Sequence, residues 1–260
     1  MDKISEFWNE RARHGQNAGS NDFLLKRLEQ DLILDTIKDA SSVLEVGCGN
    51  GDTLLKLAKE KGCTGIGLDF AEGMITLAKS ICEGAGLTSK ISFRQGKVPG
   101  LPAGIGEYDY VLTERCLINL DSHESQQMAF LEIMNHVKPG GYYLMIESFI
   151  QGLDRTNQMR MKLNLEKIDP PWHNVFMNET IVPTWATDKY SLVKVVPFSS
   201  TYFFLSRVIY AALARDKGEE LRYDSDINLL SCKLPPIGDF GPTRLYLWQH
   251  SSSYDCGGIK

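Results

Sequence analysis

Residues 43–51 read Val43-Leu44-Glu45-Val46-Gly47-Cys48-Gly49-Asn50-Gly51, an apolar run closed by glycines at alternate positions. A second apolar run, Thr64-Gly65-Ile66-Gly67-Leu68-Asp69, ends on an acid. Val43, Leu44 and Val46 suit a strand buried on both faces, and the glycines let the chain turn sharply and lay bare backbone against a ligand. An acid at the tip of the neighbouring strand can accept hydrogen bonds from two ribose hydroxyls, which makes Asp69 a candidate ligand residue. The combination describes a nucleoside-binding crevice rather than a bare strand-to-helix turn.

The glycine spacing separates two kinds of nucleotide binder. A dinucleotide site shows G-x-G-x-x-G, with pyrophosphate on the N-terminus of the next helix. Here Glu45 is followed by Gly47, Gly49 and Gly51. This resembles motif I of the class I S-adenosylmethionine-dependent methyltransferases, in which the glycine loop faces a methionine moiety and no anion site is required. The resemblance implies that Glu45, Gly47, Cys48, Gly49 and Gly51 form the cofactor loop, with Glu45 organising its amino-acid end. It also implies S-adenosylmethionine as cofactor and S-adenosylhomocysteine as product. Phe70 and Met74 stand where such enzymes pack apolar groups on the adenine. Tyr108-Asp-Tyr-Val-Leu-Thr-Glu-Arg is similar to the family's fourth strand and places Glu114, Arg115 and Cys116 at the methionine end. Trp8 and Arg11 would cover the cofactor's carboxylate, as first helices do in relatives. One departure bears on adenine: many members carry Gly-Asp after the third strand, whereas Gly96 is followed by Lys97, which cannot accept a hydrogen bond. Adenine recognition is therefore assigned to backbone around Gly96 or to Gln95.

Methyl transfer from a sulfonium is an in-line displacement, in which alignment and exclusion of water supply much of the acceleration. A hydroxyl acceptor also benefits from a base. His173, in Pro-Pro-Trp-His-Asn at 170–174, is one candidate and Glu147, at the end of the fifth strand, is its rival. Trp172, Tyr202 and Arg207 are candidate acceptor contacts, since an arginine amid apolar surface needs a partner and can hold a phosphate or carboxylate. A structural ion pair is the equal alternative for Arg207. Segments 113–120 and 198–210 resemble methyltransferases found beside bacterial surface-polysaccharide genes, which implies an oxygen of a sugar or phosphorylated intermediate as the acceptor. Two other readings stay open: a non-catalytic partner subunit that binds the cofactor or its product, and a dinucleotide-dependent oxidoreductase.

The elements that would position these groups follow from periodicity. Residues 1–40 carry a broad apolar stripe at near-helical spacing. From residue 42, strands and helices alternate: a helix at 52–61, a strand at 64–69, a helix near 72–85, a strand at 91–95 and a Gly/Pro-rich loop at 96–106. A strand at 108–113, a helix near 123–137, a turn at Lys138-Pro-Gly-Gly and a strand at 142–147 complete the run. After 148 the regularity breaks into polar helical stretches, a short strand at 192–197, an amphipathic helix at 201–215, a loop over 216–241 and a last strand at 244–249. The expected fold is α/β: one Rossmann-like domain, a mostly parallel sheet with helices on both faces and an antiparallel last strand. Helical insertions follow strand five and precede the last strand. Within 1–260, residues 1–40 form a helical cover, 41–150 the cofactor-binding core, 151–242 the acceptor-side insertions and 243–250 the last strand.

Composition bounds the partners. A net charge of −5 argues against a nucleic-acid surface. No apolar stretch reaches the roughly 18–20 residues that span a bilayer, and the polar start is unlike a signal peptide. Six scattered cysteines without a C-x-x-C pair read as free thiols of a cytoplasmic protein, with no metal site. The acceptor is expected to be a small molecule, and the oligomeric state is not legible.

Overall fold

The computed structural model describes residues 3–252, without the side chains of residues 16 and 17. Cys256 and most of the last ten residues, expected to fray, lie outside the described residues. The chain opens with α1 (Lys3–Arg11), a 3-10 turn (Ala12–Asn17) and α2 (Phe23–Thr36). Then come β1 (Ser42–Val46), α3 (Asp52–Lys61), β2 (Thr64–Asp69), α4 (Glu72–Gly84), β3 (Ile91–Gln95), β4 (Tyr108–Glu114), α5 (His123–Met134) and β5 (Val137–Ser148). The remainder is α6 (Ile150–Lys162), β6 (Tyr190–Val196), α7 (Ser200–Phe204), α8 (Ala211–Lys217), α9 (Asp226–Ser231) and β7 (Thr243–His250).

The seven strands form one sheet in the order β3-β2-β1-β4-β5-β7-β6. All neighbours run parallel except that β7 is antiparallel to both β5 and β6. Successive side chains on a strand point to opposite faces, so a sheet covered on both sides needs apolar residues at every position. The central strands meet that demand. Leu44, Val111, Tyr143 and Met145 join Phe130 and Ile133 of α5 on one face. Val43, Leu112, Leu144 and Ile146 join Leu54 and Leu57 of α3, with Ile33 of α2, on the other. The strand order reverses between β1 and β4, so the crevice opens at their C-terminal ends.

Three departures from the sequence reading have local causes. Helix α5 stops at Met134, and Lys138-Pro-Gly-Gly belongs to β5 rather than to a free turn. There the pairing with β4 shifts register, and Gly141 lies so close to the chain that an added Cβ would meet the Asp109 carbonyl at 2.8 Å. Lys138 is tied down by Asp109, which also accepts from the amide and hydroxyl of Ser42. The amphipathic helix is a continuous rod from α7 through a π-helical segment (Leu205–Tyr210) into α8. The loop after it contains α9, whose six residues are too short to show an apolar period. Its Asn228 side chain closes the preceding turn by donating to the carbonyls of Arg222 and Tyr223.

The segments after β5 form a cap fastened to the sheet by charge. Arg244 on β7, only 4% exposed, pairs with Glu179 and Asp239, and Arg155 on α6 reaches the same two carboxylates. Among the described residues no helix is long and apolar enough to cross a membrane.

Candidate functional site

The loop after β1 is held open by three glycines in the left-handed region, Gly47 (φ 75), Gly49 (φ 52) and Gly51 (φ 76). Two of them are wedged against protein. A Cβ on Gly47 would lie 2.5 Å from the Cys116 sulfur, and one on Gly51 would lie 2.4 Å from the Phe93 ring. A Cβ on Gly49 would meet nothing within 4 Å, so this glycine presents bare backbone to open space. Beside it stands Asp69, whose Oδ2 accepts from the Gly49 amide at 2.9 Å and whose Oδ1 accepts from the Ala71 amide at 2.9 Å. A carboxylate has about four acceptor positions, so each oxygen keeps capacity for a further donor. Burial pushes the Asp69 carboxyl up to about 6, against the pull of the Ala71, Gly49 and Phe70 amides.

Phe70 is half-buried at the same rim, and Gln95 at the end of β3 is exposed and donates to the Phe70 carbonyl. The Gly96 amide donates to the Asp69 carbonyl, while Lys97 is exposed. Met74 is not on this surface. It is 1% exposed and packs with Ala18, Ala71 and Trp8, which makes it core between α4 and the N-terminal cover.

Of three charged residues expected at the cofactor, Glu114 and Arg115 are engaged within the protein and Glu45 is buried. Glu45 is 2% exposed, sealed beneath the glycine loop, with Oε2 lacking a hydrogen-bond partner. Its burial raises its pKa well above that of a free carboxyl, and the nearby Glu114 adds to the effect. Glu114 accepts from the Lys26 ammonium at 2.8 Å and the Thr53 hydroxyl at 2.6 Å. Arg115, in the left-handed region at φ 53, pairs with Glu29 at 3.0 Å. Glu114 and Arg115 thus hold the loops around the crevice through protein partners.

Glu147 is likewise withdrawn as a base. It is fully buried, and its carboxylate accepts from three successive amides, those of Cys116, Leu117 and Ile118, at 3.0–3.3 Å. Burial raises its carboxyl to about 7 despite those bonds. Glu147 therefore moulds the turn after β4. Glu147→Ala would strand three buried donors at about 1–3 kcal/mol each. At about 2–4 °C per kcal/mol, the melting temperature should fall by at least about 6 °C in thermal denaturation. A fall under about 2 °C would show that the turn holds without it.

Tyr202 and Arg207 also find partners inside the protein. The Tyr202 hydroxyl donates to Asp22 Oδ1 at 2.6 Å and Arg207 pairs with Asp22 Oδ2, while Asp22 also caps α2 through the Leu25 amide. This is the structural alternative for Arg207.

The cover and the cap meet over the crevice. Helix α1 is bound to α4 by the Gly73 amide donating to Asn9 Oδ1 at 2.9 Å, and to the turn after β4 by the Trp8 indole donating to Asn119 Oδ1 at 3.2 Å. The same Asn119 oxygen accepts from Asn174 at 3.2 Å, and the Val175 amide donates to the Ile118 carbonyl. The loop that carries Trp172 and His173 is thereby held at the rim of β4. The His173 ring lies 4.5 Å from Phe7, 6.0 Å from Trp8 and 5.2 Å from Trp172. Its Nδ1 is buried without a hydrogen-bond partner. Burial, then the charge of Arg11, lowers its pKa, so the imidazole is neutral at pH 7. Trp172 is 67% exposed. Arg11 donates to the Ala18 carbonyl and to Asn21 and thereby folds the cover back on itself.

Asn9, Asn119 and Asn174 carried no signal beyond their position. Asn174 adjoins the singled-out histidine, and Asn119 lies in a segment noted only for its resemblance.

Comparison with known proteins follows the same division. The methyltransferase-domain family matches residues 43–141, which span the glycine loop to the start of β5. Norajmaline N-methyltransferase from Rauvolfia serpentina is 30% identical over 115 residues, 44% of this chain and 38% of that protein. Demethylmenaquinone methyltransferase from Staphylococcus carnosus is 33% identical over 114 residues, 43% of this chain and 45% of that protein. The chain thus spans less than half the length of these relatives. The crystal structure of a methyltransferase from Thiobacillus denitrificans in complex with S-adenosylhomocysteine superposes with a TM-score of 0.56 over 96% of this chain and 99% of that one, at 16% identity. The chain has that Rossmann-like fold.

Proposed function

From a methyltransferase-domain segment at residues 43–141, set in a Rossmann-like fold, we propose that this protein is an S-adenosylmethionine-dependent methyltransferase acting on a small molecule. The observation that carries the reading is the pairing of Gly49 and Asp69: open backbone beside a carboxylate with unused acceptor capacity. These residues fit the cofactor's nucleoside. Asp69 would take the ribose hydroxyls, the loop of Gly47, Cys48, Gly49 and Gly51 would face the methionine end, and Phe70 with the backbone near Gly96 would flank the adenine. The bound cofactor supplies an activated methyl group on a sulfonium. The protein's own work is to align an acceptor with it, keep water out and manage one proton.

The acceptor side is α1 together with the cap. We assign proton removal from an acceptor oxygen to His173, which is neutral at pH 7 and held at the β4 rim through Asn174 and Asn119. Trp172 offers an exposed aromatic face on which a sugar ring can stack. We therefore place the acceptor among sugars or phosphorylated sugar intermediates, of the kind used in surface-polysaccharide assembly.

Calorimetric titration with S-adenosylhomocysteine, with NADH as control, tests the reading. One-to-one binding of the first alone is expected, and NADH binding with no response to the first would overturn it. A glycine pair sharpens the test. Gly49→Ala should fold, with a strain cost of about 1–2 kcal/mol for a left-handed residue, yet lose at least about tenfold in affinity. Gly47→Ala, driven against Cys116, should lower the melting temperature further. Equal effects of the two on folding and binding would remove Gly49 from the ligand surface.

A further inference from the structure

Among the described residues two arginines are buried, Arg160 and Arg244, and Arg160 lacks the carboxylate partner found at Arg244 and at the half-buried Arg115 and Arg207. Arg115 pairs with Glu29, Arg207 with Asp22, and Arg244 with Glu179 and Asp239. Arg160, on α6, is 9% exposed, and among the described residues no carboxylate lies within ion-pair distance of it. Its Nε donates to the Glu166 carbonyl at 2.7 Å, and its Nη1 donates to the Arg207 carbonyl within the π-helical segment. Its Nη2 has no protein partner and is not sealed from solvent.

The surroundings add positive charge instead of removing it. The Arg207 guanidinium stands close enough that, after burial, its repulsion is the next cause lowering the pKa of Arg160. The Glu166 carboxylate, on an exposed residue, opposes this by less than Arg207 contributes. Asp22 neutralises one of the two guanidinium groups, and the Tyr202 hydroxyl that shares Asp22 is neutral. One positive charge is left over in a nearly closed place, between α6 and the rod that follows β6. The aromatic rings of Tyr202, Phe203 and Tyr223 lie 5.2–5.6 Å from the Arg207 guanidinium. An uncompensated buried ion is destabilising, and π-helical segments recur at functional sites. A strut between the Glu166 loop and the π turn would need two donors and no charge.

We propose that Arg160 is an anion subsite in the cap that takes a phosphate or carboxylate group of the acceptor. That the anion belongs to the acceptor rests on the methyltransferase reading. The anion site stands on the cap's own geometry. It lies in the half of the chain beyond residues 43–141, where the acceptor is expected to bind.

The test is calorimetric titration of the intact chain at constant ionic strength with inorganic phosphate, with acetate and with chloride, alone and in the presence of S-adenosylhomocysteine. Saturable binding of phosphate or acetate above chloride is expected, and the stronger of the two identifies the group. Arg160→Gln should weaken that binding at least tenfold and Arg160→Lys by less, with the affinity for S-adenosylhomocysteine unchanged in both. No saturable binding to the wild type, or equal binding by a folded Gln variant, overturns the proposal. Should the Gln variant not fold, the Lys variant decides, since it keeps charge but loses the guanidinium fork: undiminished oxyanion binding would count against the site. Arg160-dependent phosphate binding in a chain that ignores S-adenosylhomocysteine would keep the subsite and sink the methyltransferase reading instead.

Discussion

His173→Gln should lower kcat for methyl transfer by about 100- to 10,000-fold while leaving the affinity for S-adenosylhomocysteine within about twofold, because positioned acid–base catalysis contributes on that scale. The geometry explains why the effect should fall on turnover. His173 touches Phe7, Trp8 and Trp172, and its loop is held by Asn174 on Asn119, so glutamine can keep the packing while losing the base. Burial and the neighbouring charge of Arg11 favour the neutral imidazole. In the wild type, kcat/KM should therefore decline only below the ordinary histidine range, and this limb should vanish in the glutamine variant. A glutamine variant with wild-type kcat would assign the imidazole to packing alone.

Asp69→Ala should weaken binding of S-adenosylhomocysteine by about 100-fold or more. A charge-assisted hydrogen bond is worth about 1.5–3 kcal/mol, and two share this carboxylate in the proposed complex. Asp69 also accepts the Gly49 amide, so alanine additionally releases the loop. Unchanged affinity in a folded variant would take Asp69 out of the site. A pH series gives a second readout in the wild type. The folded carboxyl lies at about 6, above its value in an unfolded chain near 3.9. The folded state therefore binds the proton more tightly. This group's contribution to stability is fully present below about pH 4 and is lost as pH rises through about 6. Ligand affinity has the opposite sign, because the hydroxyls need the ionised acceptor. Between pH 7 and 5 the affinity should fall about tenfold, without loss of folding stability from this residue. Parallel loss of both would mean that the pH effect is general unfolding.

The cofactor half of the chain was legible because its signals are local. A strand buried on both faces must be apolar throughout, which gave strands at 43–46, 64–69 and 108–113, each within a residue of the observed bounds, and the left-handed glycines are consecutive in sequence with the turn they make. Residues whose role depends on a distant partner were not legible. Glu147 reads as a free acid at a strand tip until the amides of Cys116, Leu117 and Ile118 are brought against it. Tyr202 and Arg207 read as binding groups until Asp22, at the other end of the chain, arrives between them. Met74 looks identical in sequence whether Ala18 or an adenine covers it. Arg160 gave no signal at all, because what distinguishes it is the lack of a carboxylate that only the folded cap reveals.

The single oxygen of Asn119 ties two events together in time. It receives the Trp8 indole from the cover and the Asn174 amide from the histidine loop. In the proposed complex, with α1 over the crevice, cofactor exchange would lift α1 and so take the indole from Asn119 and the Phe7 and Trp8 rings from beside His173. An acceptor arriving first would meet a loop stripped of half its supports, so turnover should follow a compulsory sequence, with the methyl donor seated before the acceptor and the spent donor the last to leave.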